Sequence, residues 1–264
     1  MFKTVSNCLV VAVVQARSSS ARLSNKVMQP VLGKPMLVHQ LERIQRCKRI
    51  DKLIVATSDQ AADDELAKTC QNLGYCVARG SLNNVLERFY MALKNIPYDH
   101  LVRLTGDCPL VDPELVDRVI IEHLNNNADY TSNVLVPSFP DGLDVEVLKK
   151  RAFALVFERA QSFSQLEHVT SYIYENPQSF KIHKVASDTD LSFHRWTVDE
   201  PVDFELITKI YEGLYPMKPD FLMDDVLDFI KVHSSELPKN SHIIRNEGYI
   251  ESLNKNFQPQ IRPS

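Results

Sequence analysis

Apolar positions in the first half of the chain follow two alternating rhythms. Short runs rich in β-branched residues, such as Val10-Val11-Ala12-Val13-Val14, alternate with stretches whose apolar residues recur every three or four positions. The runs at 8–14, 52–57, 75–78 and 100–105 predict buried strands. The helical spacing predicts helices at 35–44, 61–73, 84–93 and from 112 to about 125. Pro35 suits a first helical turn, and Ser58 and Asp59 are positioned to cap the second helix. Asp112-Pro113-Glu114 combines a cap, a first-turn proline and an acidic first turn. Strand–helix units of this length predict an α/β fold, a Rossmann-like, mostly parallel central sheet with helices on both faces.

Beyond residue 126 the rhythm changes. Strands are expected at 129–134 and 143–147, around a turn at Pro140-Asp141-Gly142, and again at 180–185 and 193–198. Helices are expected at 149–161, 165–174, 202–211 and 221–232. This describes a single domain over residues 1–236 with a small inserted substrate- or partner-facing subregion at about 128–190. The remaining residues, 237–264, form a polar tail expected to be loosely packed.

Composition narrows the class. The chain has 264 residues, 44% hydrophobic and 24% charged, as expected of a globular protein. Its net charge of −4 does not suggest a nucleic-acid surface. The five cysteines are odd in number and form no CxxC pair, which argues against a disulfide framework or zinc site and for a reducing compartment. The apolar run at 8–14 is too short to span a bilayer, and a charged loop follows it in place of a small-residue cleavage site. A cytoplasmic protein without membrane or nucleic-acid partners is expected.

Three segments carry candidate chemistry. The loop after the first strand, residues 15–26, gathers Arg17, Arg22, Lys26 and the hydroxyls of Ser18 to Ser20, with no carboxylate. At the carboxyl end of a first parallel strand such a loop suits a polyphosphate; taken alone, a solvated basic loop has the same composition. In Arg103-Leu-Thr-Gly-Asp-Cys-Pro109, Gly106 allows a tight turn and Pro109 ends the strand, so Asp107 stands at the same sheet edge. A hard dication such as magnesium would supply the counter-charge between that carboxylate and a triphosphate; a local turn cap is the other explanation of Asp107. In Arg195-Trp-Thr-Val-Asp199, a short apolar strand delivers a second strand-end carboxylate. Asp203, in the first turn of the next helix, is expected to complement the helix dipole. Arg103 is expected to pair with a sheet-end carboxylate, and Trp196 to anchor the core.

The first segment resembles the QAR-x-x-S-x-R-L-x-x-K signature of nucleotidyltransferases that make CMP-sugar acids. The match is closest to the spore-coat polysaccharide protein F-like branch, which is similar to CMP-Kdo synthetases and acylneuraminate cytidylyltransferases. Further matching segments are Leu32-Gly-Lys-Pro-Met-Leu37, Arg79-Gly-Ser81 with Val85-Leu86 and Arg88, Thr105-Gly-Asp-Cys-Pro-Leu110, Ser132-Asn133, Pro140-Asp-Gly-Leu-Asp-Val-Glu146, Glu167-His-Val-Thr170 and Arg195-Trp-Thr-Val-Asp199. They lie in family order over residues 8–215.

The resemblance implies a GT-A-type nucleotidyltransferase that joins CTP to a sugar acid and releases pyrophosphate, in surface polysaccharide or glycoconjugate biosynthesis. Carried over by position, Gln15, Ala16, Arg17, Ser20, Arg22, Lys26, Arg79 and Gly106 would bind the nucleotide. Arg17, Lys26 and Asp107 would act in catalysis, and Asp107 and Asp199 would bind Mg2+. Asp141, Asp144 and Glu146 would line the sugar side, with Glu167 and His168 beside it or at a dimer contact, since similar enzymes suggest a homodimer. Two departures bear on the loop: the family carries glycine near Ser19 and a Pro-Gly pair near Ser24-Asn25. Asn25 tolerates left-handed backbone angles and so substitutes in part; Ser19 lacks that freedom. The alternatives are a nucleotidyltransferase using another nucleotide or a sugar 1-phosphate, and a nucleotide-binding subunit without turnover. With seven glycines and no GxGxxG after the first strand, a dinucleotide dehydrogenase is disfavoured.

Overall fold

The computed structural model describes residues 8–20, 22–243, 245 and 247–256. The first half is built from β1 (Val10–Gln15), a two-residue ribbon β2 (Pro30–Val31) and β3 (Lys34–Pro35), α1 (Met36–Ile44), β4 (Lys52–Ser58), α2 (Asp64–Asn72), β5 (Cys76–Gly80), α3 (Val85–Leu93), β6 (His100–Thr105) and α4 (Pro113–Asn126). The second half adds β7 (Tyr130–Ser132), β8 (Glu146–Lys149), α5 (Lys150–Arg159), α6 (Phe163–Glu167), α7 (Ser171–Glu175), β9 (Ile182–Lys184), α8 (Pro201–Leu214), α9 (Met223–His233) and α10 (Glu247–Asn256).

One seven-stranded sheet runs in the order β5-β4-β1-β6-β8-β7-β9. The first four strands are parallel, as expected; β8 pairs antiparallel with both β6 and β7, and β7 pairs parallel with β9. Alternation along β1 divides the core. Val10, Ala12 and Val14 pack with α1 and α8, while Val11 and Val13 pack with α3 and α5. Burial on both faces explains the unbroken apolar runs. No helix among the described residues is long and apolar enough to cross a membrane.

Four local expectations differ from the structure. The capping expected of Ser58 and Asp59 is replaced by a tie between loops. Ser58 donates to the buried Asp63, which also accepts Ser18 N–H at 2.6 Å. The strand expected from residue 143 begins only at Glu146, because the Asn133 side chain takes Leu143 C=O and Val145 N–H, each at 2.8 Å. The segment 193–198 forms no strand, because its N–H groups go to single carbonyls: Trp196 and Thr197 to Asp141 C=O, Val198 to Asp107 C=O. The helix expected at 165–174 divides into α6 and α7 at His168, which lets Val169 enter the core. Residues 247–256 of the polar segment form α10, which packs against α6.

Candidate active site

The carboxyl ends of β1 and β6 open into a cleft of about 580 Å³. This is the edge where ligands bind in open α/β sheets. The loop after β1 wraps on the Ser18 carbonyl, which accepts N–H from Ser20 and Asn25, both at 2.9 Å. Asn25 adopts φ 54°, the left-handed conformation anticipated for it, and delivers Lys26 into a short 3₁₀ turn. Ser19 keeps an ordinary negative φ, so its backbone angles do not call for glycine. Gly106 brings β6 against β1: its N–H donates to Gln15 C=O at 2.7 Å, and a Cβ there would lie 2.8 Å from Ala16 Cβ.

Lys26 is the centre of the loop's charge. Its buried ammonium donates to Asp107 Oδ2 at 3.0 Å, Asp199 Oδ1 at 2.8 Å and Val198 C=O at 2.7 Å, so all three N–H groups are satisfied. Burial pulls the amine down, but the two carboxylates outweigh it and hold Lys26 above its ordinary pKa. Asp107 is pushed up by burial and pulled down further by Lys26 and Thr105, to about 2. Two carboxylates that meet one cation match the donor set of a magnesium site completed by phosphate oxygens. Among the described residues no cluster of three or more His, Cys, Asp or Glu is placed to hold a metal by itself.

Arg195 organises the far wall. Its guanidinium meets Asp203 through Nε and Nη2, both at 3.1 Å, Asp141 at 3.1 Å and Asp199 at 2.9 Å. Asp203 is wholly buried. It also accepts N–H from Asp199 and Glu200 at 3.0 Å and from Asn240 at 2.8 Å, so it caps α8 and fixes Arg195 at once. Helix-dipole complementarity accounts for only part of its place. Arg22 reaches Asp199 at 3.1 Å and pairs with Glu247 of α10.

The β8 side of the cleft is acidic. Glu146 takes Arg103, as expected of a sheet-end carboxylate, together with the hydroxyls of Tyr130 and Tyr174. Burial raises its pKa, but Arg103 and the tyrosines pull it below the ordinary value. Asp144 meets Arg245 at 2.7 Å. Burial pushes it up against the pull of Arg245, with Asp141 and Glu146 adding to the rise, to about 7. Asp141 is raised the same way, against Arg245 and Arg195.

A carboxyl raised in the folded state binds a proton there that the unfolded chain has released. The stability contributed by neutral Asp144 is therefore lost as pH rises from about 4 to about 7. Asp144→Asn is expected to match the wild type at about pH 4 and to exceed it at pH 8 by on the order of 1–2 kcal/mol. Thermal melts at both pH values check this; a difference that does not widen with pH would sink it.

The cleft brings together Gln15, Ala16, Arg17, Ser20, Arg22, Lys26, Gly106, Asp107, Asp141, Asp144, Glu146, Glu167, His168 and Asp199. Glu167 lies 3.8 Å from Arg17, and His168 packs edge-on to Tyr249. Arg79 stands outside, paired with Asp64 and bonded to Ser58 and Gln60 carbonyls. Cys108 is buried and its thiol is pushed well up by burial, which leaves it no nucleophile. Sequence reasoning missed the hub role of Arg195 and the pocket roles of Tyr174, Arg245 and Tyr249. Arg245 and Tyr249 lie more than 200 residues from the β1 loop, and only the Arg195-Trp-Thr-Val-Asp199 segment carried a local signal.

Known proteins resemble this chain in sequence and in fold. The sequence profile of the cytidylyltransferase family matches residues 11–218. The spore coat polysaccharide biosynthesis protein SpsF of Bacillus subtilis is 32% identical over 77% of this chain and 86% of its own length. The mitochondrial 3-deoxy-manno-octulosonate cytidylyltransferase of Arabidopsis thaliana is 33% identical over 57% of this chain and 53% of its own. A solved cytidylyltransferase from Leptospira borgpetersenii superposes with a TM-score of 0.84 at 27% identity, covering 90% of this chain and 100% of that one. The chain belongs to the cytidylyltransferase family and is a nucleotidyltransferase enzyme.

Proposed function

We propose that this enzyme transfers CMP from CTP to a hydroxyl of a sugar acid and releases pyrophosphate, as a step in surface polysaccharide or glycoconjugate synthesis. The observation that carries the proposal is the convergence of Lys26, Asp107 and Asp199 beneath the basic β1 loop. The names of the relatives support the substrate class. The loop cations Arg17, Arg22 and Lys26 would bind the triphosphate, and Asp107 and Asp199 would hold a divalent cation such as Mg2+. Bound there, the cation would neutralise phosphate charge and acidify the attacking hydroxyl.

The chain's own groups set the rest. Lys26 and Arg22 would meet the negative charge that grows on the phosphate oxygens as the sugar oxygen bonds to the α-phosphorus and the bond to pyrophosphate breaks. Arg17, 43% exposed and held only loosely by Glu167, is open to an anionic substrate. Asp141, Asp144, Glu146, Glu167 and His168 line the remaining wall and offer hydrogen-bond partners to sugar hydroxyls.

Thermal shift with CTP, UTP, ATP and GTP, each with and without magnesium, tests the proposal. At about a hundredfold excess over Kd, CTP with magnesium should stabilise by about 2.7 kcal/mol, a rise of roughly 5–10 °C. A larger rise with another nucleotide would reject CTP as substrate, and no rise with any would reject turnover.

A further inference from the structure

Among the described residues Arg88, on α3, is the cation of the cleft with no carboxylate opposite it. The five other lysine and arginine side chains lining the cleft each meet a carboxylate within 4 Å. Among the described residues Arg88 meets none. Its side chain is 2% exposed. Two of its five N–H groups find carbonyl partners, Leu82 at 3.2 Å and a long contact to Ala56 at 3.5 Å, and Nε has no partner among the described residues. The nearby carboxylate of Asp63 is committed to Ser18 and Ser58. A buried guanidinium without a counter-charge costs folding free energy, so the fold retains this one against its own stability.

Its position indicates what it meets. Ala56 C=O, its partner, also accepts Ala16 N–H at 3.1 Å, which sets the guanidinium beneath the first residue of the β1 loop. Ala16 and Val85 supply apolar cleft surface nearby. The carboxylates of the β8 side lie across β1 and β6. The triphosphate already has Lys26 and Arg22.

We infer that Arg88 selects the nucleobase, donating two adjacent N–H groups to O2 and N3 of cytosine. This rests on the CTP-site reading proposed above. Neutral cytosine presents two neighbouring acceptors there, whereas uracil carries N3–H, which would turn a donor against a donor. The orphaned N–H groups are then satisfied by the correct base and left unpaired by the wrong one, the arrangement that gives strong discrimination. Arg79, tied to Asp64 outside the cleft, leaves this role to Arg88.

Calorimetric titration of the full chain with CTP, UTP and 3-deaza-CTP in magnesium, on wild type, Arg88→Met and Arg88→Lys, tests the inference. Wild type should prefer CTP to UTP by about 30-fold or more and bind 3-deaza-CTP about 10-fold more weakly than CTP. Arg88→Met should lose about 10- to 100-fold in CTP affinity and less than about threefold in UTP affinity. Arg88→Lys should fall between. An equal loss for both nucleotides would make Arg88 a phosphate ligand and overturn the inference, as would an unchanged preference. If the methionine variant fails to fold, the 3-deaza-CTP comparison on wild type still decides: equal affinity with CTP overturns base reading. A wild type that binds no CTP overturns instead the assignment of the cleft.

Discussion

Asp107→Asn should keep the fold and lose pyrophosphate release by a factor of about 10³ or more. The main-chain oxygen of Asp107 keeps Val198 N–H at 2.9 Å and Thr197 Oγ1 at 3.3 Å whatever the side chain, so the wall behind it is unchanged. Lys26 keeps Asp199 and Val198 C=O. What disappears is a negative charge. With its pKa held near 2, Asp107 is ionised throughout the working range and takes no part as a proton carrier there. Its removal therefore reports on electrostatics alone: cation affinity and the placement of Lys26. Pyrophosphate release with CTP, magnesium and a sugar acid, beside circular dichroism of both proteins, makes the comparison. A folded variant with wild-type turnover removes Asp107 from the reaction.

The second large effect is structural. Gly142→Ala should cost on the order of 3–5 kcal/mol of stability, combining a forbidden backbone angle with overpacking. Gly142 sits at φ +105°, and a Cβ there would lie 2.6 Å from the Trp196 carbonyl carbon and closer still to Thr197 N. Those atoms cannot retreat, because Trp196 N–H and Thr197 N–H both bond to Asp141 C=O, at 2.6 and 3.0 Å. Trp196 itself is 1% exposed. The strain would pass to Asp141 and Arg195, so the two walls of the cleft they join should fail together. Urea unfolding at constant m gives the number; a loss under about 1 kcal/mol would show that the close approach is not the constraint.

The parallel half of the sheet was legible in sequence because both faces of β1, β4 and β6 are buried, leaving runs too apolar for anything but a central strand. The β1 loop, Asp107 and Asp199 were legible because each stands at a strand or segment end next to a break. The left-handed Asn25 followed from the resemblance, which puts a glycine near that position, and the pairing of Arg103 with a sheet-end acid from elementary chemistry. The antiparallel part was less legible. Asn133 acts as a substitute for main-chain pairing with 143 and 145, and no periodicity encodes a side chain that does so. The hub was hidden for a different reason: Arg195 acquires meaning only beside Asp141 and Asp203, and in sequence the first aspartate reads as part of a turn and the second as a helix-dipole partner. The unpaired state of Arg88 is a property of three dimensions, since helical spacing cannot show that every nearby carboxylate is taken.

The contact between Lys26 and Asp199 joins residues 173 positions apart in the chain. A ribosome releases the amino end first, and domains gather as their segments emerge. β1, β4, β5 and β6 are all complete by residue 105, so the β1 side of the cleft has every strand it needs well before Asp199 exists. Through that interval the basic loop has no Asp199, no Asp203 and no Arg195 to set its charges. Synthesis thus delivers the scaffold early and completes the site late, and a chain stopped short of residue 199 retains the basic loop and Asp107 without the second carboxylate.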